Sequence, residues 1–184
     1  MSRFVTEQIA RGGLGALAER RLAGDVGAAE ESRAALEEAD LLALGALADR
    51  VRAAEVGEVV RVHVGPRPAV PFVRGTGLAL LRAVAIARLT SPPGARVAVD
   101  WGEAGLEVAQ VALGFGASEL WGPVANKRGL EIAEDATKKV KGKGRVSARA
   151  MKREEILGLV RRCRREPVLE EGGGRPEQNA SEHV

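Results

Sequence analysis

The stretch from Leu78 to Trp121 constrains this chain more than any other, because it alternates helix, strand, helix and strand at a pitch that few folds accept. Leu78, Leu81, Ala85 and Leu89 recur at steps of three and four and form one helical stripe. Thr76 stands at the N-cap position, and Ser91-Pro92-Pro93-Gly94 cannot continue a helix. Val97 and Val99 then make a short apolar run that ends at Asp100-Trp101-Gly102. A second stripe follows with Leu106, Ala109 and Leu113, closed by the C-cap candidates Gly114 and Gly116, and Ala117 to Trp121 reads as the next strand. Strands separated by single helices are parallel, with crossover connections, so the fold class is α/β.

Upstream, Asp40 to Arg52 is a further apolar helix that leads into a strand over Val59 to Val64. Together these residues resemble a known family. The string Ala85-Ile86-Ala87-Arg88-Leu89, the strand end Asp100-Trp101, the helix Val108-Ala109-Gln110-Val111-Ala112-Leu113-Gly114-Phe115-Gly116-Ala117 and the pair Trp121-Gly122 occur in an order similar to the C-terminal part of certain radical-SAM enzymes. These are the enzymes of futalosine-pathway menaquinone biosynthesis (aminofutalosine synthase and dehypoxanthine futalosine cyclase) and FO synthase. Leu159 to Val168 resembles their closing helix end, and Asp40 to Arg52 their entry helix. The resemblance covers roughly two-thirds of the chain. It implies a partial (βα) barrel-like parallel sheet of about three strands, preceded by N-terminal helices.

The chain departs from that family at the catalytic centre. Radical-SAM enzymes hold a [4Fe–4S] cluster with three thiolates from a Cys-x-x-x-Cys-x-x-Cys loop after the first strand. Here Gly65-Pro66-Arg67-Pro68-Ala69 follows that strand, and the single cysteine, Cys163, lies far away on a basic helix. The middle strands of the barrel are missing as well. We therefore expect a shortened, catalytically inactive relative with neither cofactor nor metal.

The division expected is a helical segment over 1–58, an α/β remnant over 59–169 and a disordered tail over 170–184, where glycines and polar residues dominate. In the first segment Gly12-Gly13-Leu14-Gly15 superficially resembles a phosphate loop, but it follows no strand and reads as a turn. With one cysteine there is no intramolecular disulfide framework, and no apolar run approaches the ~18 residues of a membrane span, so the expected location is the cytoplasm. The net charge of +3 conceals a strongly basic block between about residues 121 and 165. Its centre, with Lys138, Lys139, Lys141, Lys143 and Arg145, is a candidate anion site, since its glycines free backbone amides to point at an anion. No aromatic residues interleave to stack on bases, so a solvated loop is the simpler reading and nucleic acid is not the expected partner.

Barrel-derived folds put their sites at the C-terminal ends of strands. The candidates there are Asp100, Trp101, Glu119, Trp121 and Asn126, an acid beside two indoles that could line a small pocket. Asp100 could equally cap the next helix and Trp101 pack beneath it. His63 reads as a half-buried sheet residue. About three strands cannot close a barrel, so an edge should stay open and be covered by a homodimer or by a hetero-complex with a full-length relative. Val59 to Val64 is the expected edge and Val97 to Val99 the expected interior strand. The functional expectation is an accessory or partner subunit, linked through the resemblance to menaquinone biosynthesis. The alternatives are a small-ligand protein or cluster-free enzyme using the strand-end pocket, and non-specific nucleic-acid binding through the Lys-rich segment.

Overall fold

The computed structural model describes residues 3–65, 67–125, 137–140, 144–147 and 151–171. Helices α1 (Arg3–Arg11), α2 (Gly15–Leu22), α3 (Gly27–Glu31), α4 (Arg33–Glu38) and α5 (Leu41–Val56) lead into strand β1 (Val59–Val64). Helix α6 (Gly77–Thr90), strand β2 (Ala98–Asp100), helices α7 (Trp101–Ala104) and α8 (Leu106–Ala112), a 3₁₀ turn over Leu113–Phe115 and strand β3 (Glu119–Trp121) follow. Short strands β4 (Val124–Ala125), β5 (Thr137–Val140), β6 (Gly144–Ser147) and β7 (Met151–Lys152) precede helix α9 (Arg153–Arg162) and strand β8 (Glu166–Glu171).

Local chemistry explains the boundaries. Asp40 caps α5, its Oδ1 accepting from the Ala43 N–H at 2.9 Å, and Gly57 ends the helix. Thr76 stands at the start of α6 as expected, although its hydroxyl makes no capping bond. The expected second helix forms as α8 and runs on into the 3₁₀ turn. A separate short turn, α7, precedes it, started where Asp100 Oδ1 accepts from the N–H groups of Gly102 at 2.8 Å and Glu103 at 3.3 Å and ended at Gly105, whose φ is 84°. Gly116, rather than Gly114, supplies the left-handed residue before β3, with φ 101°. A Cβ there would also meet Arg88 Cβ at 2.8 Å, so the position excludes any side chain twice over.

The main sheet is fully parallel, in the order β2-β3-β1-β8. An α/β fold with a partial parallel sheet is thus what forms, with four strands instead of about three. The expected edge and interior are exchanged. β1 lies inside, paired to β3 through Arg61–Glu119, Val62–Leu120 and His63–Trp121, and to β8 along its whole length. β2 has a full partner on one side only; on the other, an isolated parallel bridge joins Phe72 to Ala98, with the Val73 N–H donating to Ala98 O at 3.0 Å. The fourth strand includes Glu170 and Glu171, which the expected division had placed in the tail. Residues 172–184 of the expected tail lie outside the described residues.

Strand alternation sorts the sheet into two faces. Val60, Val62, Val99 and Leu120 are fully buried on one, in a single core with Leu44, Leu47 and Val51 of α5, Leu80, Val84 and Leu89 of α6, Ala109 of α8 and Ile156 of α9. The other face carries Arg61, His63, Glu119, Trp121, Asp100 and Glu170, which the register brings side by side.

Buried arginines tie the helices to the N-terminal ends of the strands. Arg88 donates to Gly116 O at 2.9 Å, Ala95 O at 2.8 Å and Ser118 Oγ at 3.0 Å. Arg21 donates to Leu89 O at 2.7 Å and pairs with Glu55 at 2.6 Å. Arg52 donates to Gly57 O and to Asp49 at 2.7 Å. Burial lowers the pKa of Arg88, and Glu55 opposes that shift; a guanidinium stays charged throughout, so these residues act as fixed five-donor clamps.

Candidate functional site

The polar face of the sheet divides into two groups of side chains. The first is centred on Glu119, which is 0% exposed. Arg96, from the loop before β2, forms a two-pronged ion pair with it: Nε meets Oε1, and Nη2 donates to Oε2 at 2.9 Å. His63 Nε2 lies 2.7 Å from the same Oε2. That oxygen accepts from Nε2, and Nδ1 faces Glu170, whose Oε2 is 3.7 Å away. Arg61 Nε holds the other oxygen of Glu170 at 2.7 Å. The histidine–carboxylate contact has the geometry of a base with its orienting acid, yet Arg96 already neutralises that acid. The group is best described as a charge lock that lets a carboxylate survive burial.

The second group sits at the C-terminal strand ends. Arg67, in the loop after β1, reaches across to β2: its Nη1 donates to Asp100 Oδ2 at 3.0 Å and to Glu103 Oε1 at 3.2 Å. Its guanidinium carbon lies 4.3 Å from the centre of the Phe72 ring and 5.1 Å from that of Trp121. The two rings meet edge to face, with centroids 6.0 Å apart and planes at 67°. Trp121 is oriented by its indole N–H, which donates to Gly65 O at 3.1 Å. Burial pushes the Asp100 carboxyl above its ordinary value; the N–H groups of Gly102 and Glu103 oppose this, Glu103's charge reinforces it, and Arg67 opposes it.

Of the residues the sequence pointed to, Asp100 and Trp121 come together at the strand ends, and Glu119 lies on the same face two residues deeper. Trp101 goes the other way. It is 1% exposed and packs so closely on Gly122 that a Cβ there would meet its ring at 2.4 Å. Asp100 does cap the following turn, as the simpler reading had it. Asn126, Lys141 and Lys143 lie outside the described residues. The backbones of Lys138, Lys139 and Arg145 lie in the antiparallel pair β5–β6, with Lys138 opposite Val146 and Lys139 opposite Arg145.

Sequence reasoning missed Arg67, Phe72, Glu103, Arg96 and Glu170. The first two were visible as an arginine and an aromatic residue within a proline-broken segment, but nothing local says that the segment folds back over β2. Among the described residues no group of three or more His, Cys, Asp or Glu side chains is arranged to hold a metal ion. Cys163 is a free, half-buried thiol at the end of α9. No described helix is long and apolar enough to cross a membrane. No family model matches the chain, and no curated protein matches it in sequence.

Proposed function

We propose that this protein acts by binding rather than catalysis, as a cluster-free relative of the radical-SAM enzymes named above that serves as an accessory subunit in a hetero-complex. The sheet order is the observation that carries the reading. In a closed (βα) barrel successive strands are neighbours and the last strand pairs with the first. A barrel reduced to its first and last two strands would therefore read penultimate, last, first, and β2-β3-β1 has that order. β8 then stands where the barrel's second strand would pair. In this comparison the core helices are the outer layer and the charged face is the lumen. The loop that carries the cluster thiolates in the resembled enzymes corresponds to the loop bearing Arg67.

Anaerobic reconstitution with iron and sulfide tests the proposal directly. The expected product has no cluster charge-transfer absorbance and does not cleave S-adenosylmethionine. Stoichiometric cluster iron would overturn it, since one thiol per chain would then demand ligands shared between subunits. Affinity capture from the native cell is expected to return a full-length relative, and the menaquinone link stands or falls with that partner's identity. A second reading, a small-ligand protein, is favoured by the aromatic and acidic slot around Arg67.

A further inference from the structure

The charges of the polar face do not balance. Four described carboxylates, Glu119, Glu170, Asp100 and Glu103, meet three guanidiniums, Arg61, Arg67 and Arg96, and each guanidinium is engaged with at least one of those acids. Among the described residues of this face every guanidinium is already engaged with an acid; what they offer a ligand is carboxylate. That offer is concentrated where Arg67 lies. Its guanidinium donates to two acids and lies over two aromatic rings, the combination that recognises a planar cation elsewhere in proteins.

Arg67 is unlike the arginines buried at the opposite end of the sheet. Arg21, Arg52 and Arg88 are about fully buried and donate to backbone carbonyls, whereas the Arg67 side chain is 36% exposed and comes from a loop, not a helix. That loop runs from Gly65 to Thr76, and Gly65, Gly75 and Gly77 at its ends have φ of 98°, 137° and 52°. Its described links to the strand ends include the Trp121 indole on Gly65, the short bridge at Phe72 and Val73, the Phe72–Trp121 ring contact and Arg67 itself. Asp100, in contrast, is fixed by its bonds to the start of α7 and stays in place whether or not Arg67 is there.

We propose that Phe72, Trp121, Asp100 and Glu103 form a guanidinium-binding site, and that Arg67 is its internal occupant, displaced when a ligand bearing a guanidinium group enters. The ligand is either a free guanidinium metabolite or an arginine side chain presented by a partner protein. The site goes beyond the accessory-subunit reading and does not depend on it: the cluster experiment can fail while this one succeeds, and the reverse.

The test is calorimetric titration of the intact protein with agmatine and, separately, with a short peptide capped at both ends and containing one arginine. The wild-type chain is expected to bind saturably with a dissociation constant of about 1 mM, because Arg67 competes for the slot. Arg67→Ala removes the competitor and should bind about tenfold more tightly. Adding Asp100→Asn to Arg67→Ala should remove most of that affinity; asparagine still caps α7, so the fold persists. Glu103→Gln, at an exposed position, should weaken binding severalfold and guards against a folding artefact in the other variant. Tighter binding of the peptide assigns the ligand to a partner protein, and tighter binding of agmatine to a metabolite; either outcome supports the site. Two results would overturn it. One is no saturable binding to Arg67→Ala at about 10 mM ligand. The other is binding to Arg67→Ala but none to the wild type, which would make Arg67 a permanent plug.

Discussion

At the scale of single residues, the polar face contrasts two buried acids handled in opposite ways. Glu119 is 0% exposed, and Arg96 and His63 meet its oxygens directly, so its charge is compensated inside the protein. Asp100 is nearly as buried, but its partners are two backbone N–H groups and one loop arginine, and burial prevails. The native state therefore binds the Asp100 proton more tightly than the unfolded chain does. Ionising Asp100 opposes folding: its stabilising contribution is complete below the ordinary value of 3.8 and is lost as pH rises through the raised native value. Asp100→Asn cannot ionise and keeps the cap. Relative to wild type it should gain stability as pH rises from 3.8 upward, then level off once Asp100 is fully charged. Urea midpoints for both chains across that range read the effect; a constant or shrinking difference would mean that Arg67 holds the carboxylate charged after all. Asp100 was identifiable from its place at the end of an apolar run. Its partner Arg67 was not, because the attraction that joins them acts across a loop with no periodicity.

At the scale of elements, the sequence is a good guide to where helices and strands occur and a poor one to how strands are ordered. Of the stripe Leu78, Leu81, Ala85 and Leu89, the last three face the core, while Leu78, in the first turn of α6, is 69% exposed and Leu80 and Val84 take buried places instead. Asp40, Gly57 and Gly116 punctuate as their chemistry requires. β1 was expected at the edge because Pro66 and Pro68 stop it and the barrel strand that would follow is missing. β8, from the far end of the chain, pairs along that side instead. β2 was expected inside because strong helical stripes flank it in sequence, yet flanking helices fix only its crossover connections, and shortness is also how edges are made safe. β8 was hidden by Pro167 and three glutamates, although it pairs with β1 through all six of its residues. The corrected order changes what Val62 does. It is 0% exposed beneath the helices, so Val62→Lys places an unpaired ammonium in the core. The expected cost is about 4 kcal/mol, a large share of a small domain's stability. Circular dichroism should therefore show loss of helix together with loss of the cooperative thermal transition. A folded variant that merely changes its state of association would restore β1 to an edge.

At the scale of the whole molecule, the question is what the remaining open edge permits. Among the described residues no strand pairs with the outer side of β8 along Glu166–Glu171, and the strand contains Pro167, which has no N–H to donate, and three glutamates. Two copies pairing antiparallel along this strand would bring glutamates close to one another, and like charges directly opposite destabilise a ladder. Val168, 40% exposed midway along this strand, is its exposed large apolar side chain. Self-association through β8 is thus opposed by charge and supported by little burial, while a partner presenting lysine or arginine would meet complementary acids. This favours the hetero-complex over the homodimer among the two assemblies expected from an open sheet. Light scattering on the isolated chain at about 100 µM should give the monomer mass of 19.4 kDa, at low and at moderate salt alike. Val168→Lys should leave that mass and the melting temperature unchanged while weakening capture of the native partner. A stable dimer that Val168→Lys dissociates would show that apolar contact at β8 outweighs its acidic charge, and that the second subunit is another copy of this chain.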